Sequence, residues 1–207
     1  MIKKLPHWLL ATFLLILFTA CGPAKDKIRI TGKFTNINDA EFYVYSEDGA
    51  FDGIDTIKIS DGKFSYERTL AHPAVLTLLY PNFTQTYVVA EPGHEIKIKG
   101  EASKIGESEV TGTEQNELLS DFRIKHIADA PHPQRLAAAQ FIRENPTTLA
   151  AVAVFRKYFA NVQTTDATQA LPLLNLLKPL QGNLFPPSVA KHSTDAPLRP
   201  KPLKAKI

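Results

Sequence analysis

The chain has one cysteine, Cys21, one methionine, Met1, and one tryptophan, Trp8, in 207 residues. A single thiol excludes an intramolecular disulfide, a Cys-x-x-Cys redox pair and a cysteine-based zinc site. No serine sits in a Gly-x-Ser-x-Gly elbow, so nothing constrains a Ser/His/Asp arrangement. Gly62-Lys63 is followed by Phe64 and lacks the upstream glycine of a phosphate loop, which makes it turn chemistry. His72, His94, His126, His132 and His192 include no pair at helical ligand spacing. Asp48, Asp52, Gly53 and Asp55 hint at a calcium loop, but Ile59 stands where a bidentate glutamate belongs. No metal and no cofactor is expected. Charge is scarce as well. The formal net charge is +3, and Lys3 and Lys4 carry two of those charges, too little basic excess for a nucleic-acid partner.

What is present begins at the N-terminus. Lys3 and Lys4 precede an apolar run from Leu9 to Ala20, and the only cysteine follows. As a helix that run reaches about 18 Å, well short of a hydrocarbon core of about 30 Å. A basic start, a short apolar stretch and the small residues Thr19-Ala20 predict a cleaved signal peptide. Leu17-Phe18-Thr19-Ala20-Cys21 resembles the lipobox of bacterial lipoproteins, with Phe18 standing where leucine is usual. The resemblance implies cleavage before Cys21 and acylation of its thiol. The expected layout is a signal peptide over 1–20, a spacer over 21–26, a β-sandwich domain over 27–112, a helical segment over 113–181 and a disordered Pro/Lys-rich tail over 182–207. In that tail Lys191, Arg199, Lys201, Lys204 and Lys206 face only Asp195.

Between residues 27 and 112 the apolar residues alternate. Ile28 and Ile30, then Phe42 and Val44, then Phe64 and Tyr66, then Ile96 and Ile98 each lie two apart. Turn residues punctuate them: Asn36 to Asp39, Asp61-Gly62, Pro81-Asn82 and Glu91-Pro92-Gly93. About eight short strands at this spacing predict an all-β antiparallel sandwich, followed by a small helical segment. Thr113 is a candidate N-cap for a first helix. Pro131-His132-Pro133 starts a second, and Thr147 or Thr148 caps a third. Leu173, Leu176, Leu177 and Leu180 mark a fourth, with Pro172 acceptable in its first turn. Tyr43, Tyr45, Tyr66, Tyr80 and Tyr87 could stack on a sugar or peptide, but cross-strand pairing accounts for them.

Five stretches in order carry a family likeness: Ile30-Thr31-Gly32-Lys33, Asp55-Thr56, Asp61-Gly62-Lys63-Phe64, Glu91-Pro92-Gly93 with Ile96 and Gly100, and Val110-Thr111-Gly112. Together they resemble domain of unknown function 4369, the envelope-lipoprotein sandwich domain of Bacteroidetes-type bacteria. In that family it often stands in front of a thioredoxin-like domain. The stretch from Phe141 to Phe159 resembles the linker of those longer proteins. No Cys-x-x-Cys follows in this sequence, so their redox activity does not carry over.

The reading is a non-enzymatic, lipid-anchored cell-envelope lipoprotein, a binding or scaffold module. The alternative is an accessory domain of a split or truncated thioredoxin-like thiol:disulfide oxidoreductase system. The outer membrane is favoured, on its periplasmic side rather than the surface, because the residues after Cys21 do not resemble the acidic surface-export signal of such bacteria. Asp55-Thr56-Ile57 matches a short O-glycosylation acceptor pattern, which makes Thr56 a candidate modification site. Leu149 to Phe155 is apolar all round, a pattern that calls for cover on more than one face. Phe155 and Phe159 are therefore the candidate contacts for self-association or for a thioredoxin-like partner protein.

Overall fold

The structure, a computed structural model, describes residues 22–160, 167–177 and 180. The expected signal peptide, Cys21 and the tail over 182–207 lie outside the described residues.

Eight strands form two four-stranded sheets. They are β1 (Lys27–Thr35), β2 (Ala40–Ser46), β3 (Ile54–Ile59), β4 (Lys63–Thr69), β5 (Ala74–Leu79), β6 (Gln85–Ala90), β7 (Glu95–Glu101) and β8 (Glu109–Thr111). Sheet A runs β4-β1-β7-β8 and sheet B runs β3-β2-β5-β6. The alternation read from the sequence decides which residues turn inward. Ile28 and Ile30 of β1, Phe42 and Val44 of β2, and Ile96 and Ile98 of β7 are buried between the sheets. At one end of this core Phe34 stacks on Phe64 at 5.3 Å, and Phe42 meets the Phe64 ring edge-on at 5.1 Å. Asp61 and Gly62 both take positive φ, 50° and 71°, as a two-residue hairpin between right-twisted strands requires.

One pairing departs from the antiparallel expectation. β1 and β7 run parallel, Arg29 opposite Glu95 and Lys33 opposite Lys99. The chain leaves sheet A, builds sheet B, and re-enters sheet A in its original direction, and parallel neighbours need a long crossover of that kind. A short 3-10 helix, Ala102–Glu107, between β7 and β8 is a further element that the period-two pattern did not reveal.

Four helices follow: α1 (Glu114–His126), α2 (Pro131–Glu144), α3 (Leu149–Phe159) and α4 (Ala167–Leu176). Thr113 caps α1 by accepting from Asn116 N, and Thr148 caps α3 by accepting from Ala151 N. Pro131 opens α2 in the first turn, where its missing N–H costs nothing. Pro172 is different. α4 starts at Ala167, earlier than the leucine spacing suggests, and the proline falls inside the helix rather than in its first turn.

The helices form a third layer against the outer face of β5 and β6. Val75 and Val89 point out of sheet B into a second apolar core with Phe122, Ile142, Val152, Phe155 and Leu173. The outer face of sheet A carries no helix among the described residues.

Candidate functional site

The two sides of the sandwich are closed by different chemistry. On one side, Tyr66 of β4 donates to Asp55 Oδ2 of β3 at 2.6 Å, and Arg68 Nη1 reaches the same oxygen at 2.5 Å. Arg68 also lies 4.3 Å over the Phe51 ring. The Tyr66 hydrogen bond, aided by Arg68, holds the Asp55 carboxyl below its ordinary range. Burial and the neighbouring carboxylate push the Tyr66 phenol up. Asp48 points elsewhere, into the helical layer, so the suspected calcium loop does not assemble. No group of His, Cys, Asp and Glu that could hold a metal occurs among the described residues.

On the other side, α1 covers the open edges of both sheets. Asn116 accepts from Val89 N at 2.8 Å and donates to Val89 O at 2.7 Å, pairing the free edge of β6 as a strand would. One turn on, Ser120 Oγ accepts from Val110 N of β8 at 3.0 Å. Buried cations fix the layer further. Arg156 of α3 donates to Val75 O at 3.3 Å and lies 3.5 Å from Asp48 Oδ2, the two side chains 4% and 1% exposed. Arg123 of α1 donates to Ser108 O, and burial lowers its pKa. Beside it, Tyr80 OH, Thr86 Oγ1, Ser108 Oγ and Arg123 Nε are buried without a hydrogen-bond partner. Burial pushes the Tyr80 phenol up to about 12. A cavity of about 20 Å³ adjoins Thr86 and Arg123, room for one water.

The helical layer presents one open groove, of about 620 Å³, between α2 and α4. Its walls carry Leu136, Ala139 and Leu173; Arg135 and Arg143 are its cations, and His132, Thr168 and Gln169 add polar groups. Phe159 lies at its base, with the Arg135 guanidinium 5.4 Å from the ring centroid. Leu136 is 60% exposed. The volume falls in the range of a ligand or peptide site, and the lining is mixed, apolar residues alternating with polar and cationic ones.

The structure separates the residues singled out from the sequence. Phe155 is 5% exposed, stacked on Phe159 at 5.9 Å inside the second core, so its ring is not offered to a partner. Phe159 is equally buried but borders the groove. α3 is greasy all round because β5, β6 and the other three helices surround it within the same chain. Thr56 is exposed on β3, an edge strand, opposite Tyr43. The tyrosines scatter: Tyr80 between the sheets, Tyr66 at the seam, Tyr87 under the helices, and Tyr43 and Tyr45 on the outer face of β2. The groove-rim arginines and the buried Asn116, Arg123 and Arg156 were not singled out. A charged residue in the otherwise apolar run of α3 was the available signal for Arg156.

Residues 28–119 match a family described as Domain of unknown function (DUF4369). The chain carries a DUF4369 domain. No curated protein and no solved structure matches the chain. The matched span takes in all eight strands and ends in α1 at Leu119, past Asn116. The helix that plugs the sheet edges is thus begun within the DUF4369 domain. The groove between α2 and α4 lies beyond it.

Proposed function

We propose that this protein is a lipid-anchored envelope lipoprotein without catalysis of its own, a scaffold that offers the α2–α4 groove to a protein partner. The observation that carries the reading is the groove itself: a cleft lined by apolar and polar residues, Arg135 and Arg143 among them, in a helical layer that buried polar contacts from α1 and α3 join to the sandwich. Its chemistry suits an acidic amphipathic segment, with apolar side chains in the cleft and carboxylates at Arg135 and Arg143. The basic tail is the wrong sign to fill it.

A photo-crosslinker at position 136 tests this in cells. The expected result is a discrete adduct that disappears in the Arg143→Glu variant, with none from a crosslinker at position 109. Adducts of equal yield from both positions would remove the groove as a site. Sedimentation of the same variants tells a second copy of the chain from another protein. The anchor is tested separately by a fatty-acid analogue, which should label the wild type and not Cys21→Ala.

The second reading, an accessory domain to a separate thioredoxin-like chain, draws on the DUF4369 match and on the helices that follow it. Under that reading the crosslinked partner carries a Cys-x-x-Cys motif. Glycosylation at Thr56, which stands exposed on an edge strand, predicts an intact mass above that of sequence plus lipid, returning to it in Thr56→Ala.

A further inference from the structure

The charges on the outer face of sheet A are sorted by row. Arg29 is flanked by Glu67 on β4 and Glu95 on β7, and it pairs with Glu67 at 2.7 Å. Glu95 accepts from Thr31 at 2.8 Å. That row holds one cation between two carboxylates. The next holds Ser65, Thr31 and Lys97. The one after holds Lys63, Lys33 and Lys99 side by side, with Glu109 beyond them on β8. Neighbouring strands lie about 4.8 Å apart, so three ammonium stems rise within about 10 Å of one another. Lys97 stands on the same face. None of these four lysines forms an ion pair among the described residues.

Like charges directly opposite one another on a sheet destabilise it. Arg29 has a glutamate on each neighbouring strand, whereas in the lysine row only Lys99 has one opposite it, Glu109 on β8, and Lys33 and Lys63 have none. The cost is sustained on a sheet face that no helix covers among the described residues.

We propose that this lysine row is a docking surface for the anionic headgroups of a lipid bilayer, on which sheet A lies flat. Position along the chain supports this occupant. β1 opens at Lys27, and the stretch from Cys21 to Lys27 spans at most about 21 Å. From Lys27 to Lys33 the strand covers about 20 Å. A sheet lying flat brings both the anchor end and the lysine row to the membrane. A sheet standing on its anchored end holds the lysines about 20 Å away, well beyond a Debye length of about 8 Å. The flat arrangement also turns the α2–α4 groove away from the bilayer, towards a partner. The orientation rests on the anchored reading proposed above; the affinity of the face for headgroups does not.

The test therefore uses residues 21–207 with Cys21→Ser, which cannot be acylated, and vesicles of phosphatidylcholine with or without about 30% phosphatidylglycerol. Each lysine at an anionic surface changes partitioning roughly fivefold. The expected result is salt-sensitive binding to the anionic vesicles alone, weakened at least tenfold by Lys33→Gln/Lys99→Gln. A control variant, Lys201→Gln/Lys204→Gln/Lys206→Gln, removes charge from the tail. Binding that survives the sheet variant, or that is lost only in the tail variant, overturns the proposal. The sheet variant should also melt no lower than the parent, since it relieves repulsion. Failure here leaves fatty-acid labelling of Cys21 untouched, so the docking face and the anchor stand or fall separately.

Discussion

Asp55 is a residue whose contribution depends on pH. Tyr66 and Arg68 hold its carboxyl below the ordinary value, so its stabilisation is fully present above about pH 4 and is lost as the pH falls through the lowered value. Asp55→Asn should cost about 1 kcal/mol at pH 7 and flatten the acid limb of a melting-temperature profile, the two curves converging once the carboxyl is protonated. Parallel curves would mean that the pairing adds nothing. Phe83 is a residue whose contribution depends on its backbone conformation. It is 85% exposed at the β5–β6 turn with φ of 62°, where glycine is the ordinary choice. Phe83→Gly should leave the melting temperature unchanged or raise it, by up to about 1 kcal/mol in stability. A clear loss by chemical denaturation would show that the ring is held by contacts absent from this conformation. Neither site was legible as a site. Asp55 entered only through a calcium-loop hint that Ile59 speaks against and through the acceptor pattern around Thr56, because the sequence shows its neighbours along the chain and not Tyr66 and Arg68 across the seam. The proposed anchor at the lone cysteine rests on a signal that is local in the sequence.

At the scale of elements, α1 works as a strand substitute. Removing the Asn116 amide leaves Val89 N–H and C=O buried and unpaired, so Asn116→Ala should cost about 2–4 kcal/mol. Hydrogen exchange should then speed first at Val89; uniform loss of protection along β6 would argue against an edge role for the helix. α3 depends on its one buried ion pair in the same way. Arg156→Met strands the Asp48 carboxylate and should cost about 3–5 kcal/mol by urea unfolding, and adding Asp48→Asn should recover part of that loss. Full additivity in this cycle would mean that the two side chains do not interact. The elements themselves were largely legible. Alternation marked the strands, Asp61-Gly62 the hairpin, and Thr113 and Pro131 the starts of helices. Pro172 misled, because propensity places a proline early in a helix whereas the packing of Leu173 carries α4 past it. The parallel β1–β7 pair was invisible, since period-two patterning says which face of a strand is buried and nothing about which strand lies beside it.

At the scale of the molecule, the chain is three layers, sheet A, sheet B and helices, with a charged face at one end of the stack and a groove at the other. The class of fold could be read from the sequence; the stacking order could not, because it rests on Val75 and Val89 facing out of sheet B towards the helices. The place of β1 in the middle of sheet A bears on how the chain acquires its structure. β1 hydrogen-bonds β4 on one side and β7 on the other, and Thr35 and Gly100, 65 residues apart, are joined in the second pairing. The first strand to be synthesised is therefore among the last to be completed. Contacts of such range close slowly, because the loop entropy is lost before the ladder forms. The N-terminal half should stay unfolded until Glu101 has been made, a delay of several seconds at ordinary translation rates. Under the lipid-anchored reading proposed above, that delay keeps a stable sandwich from forming ahead of a translocation channel.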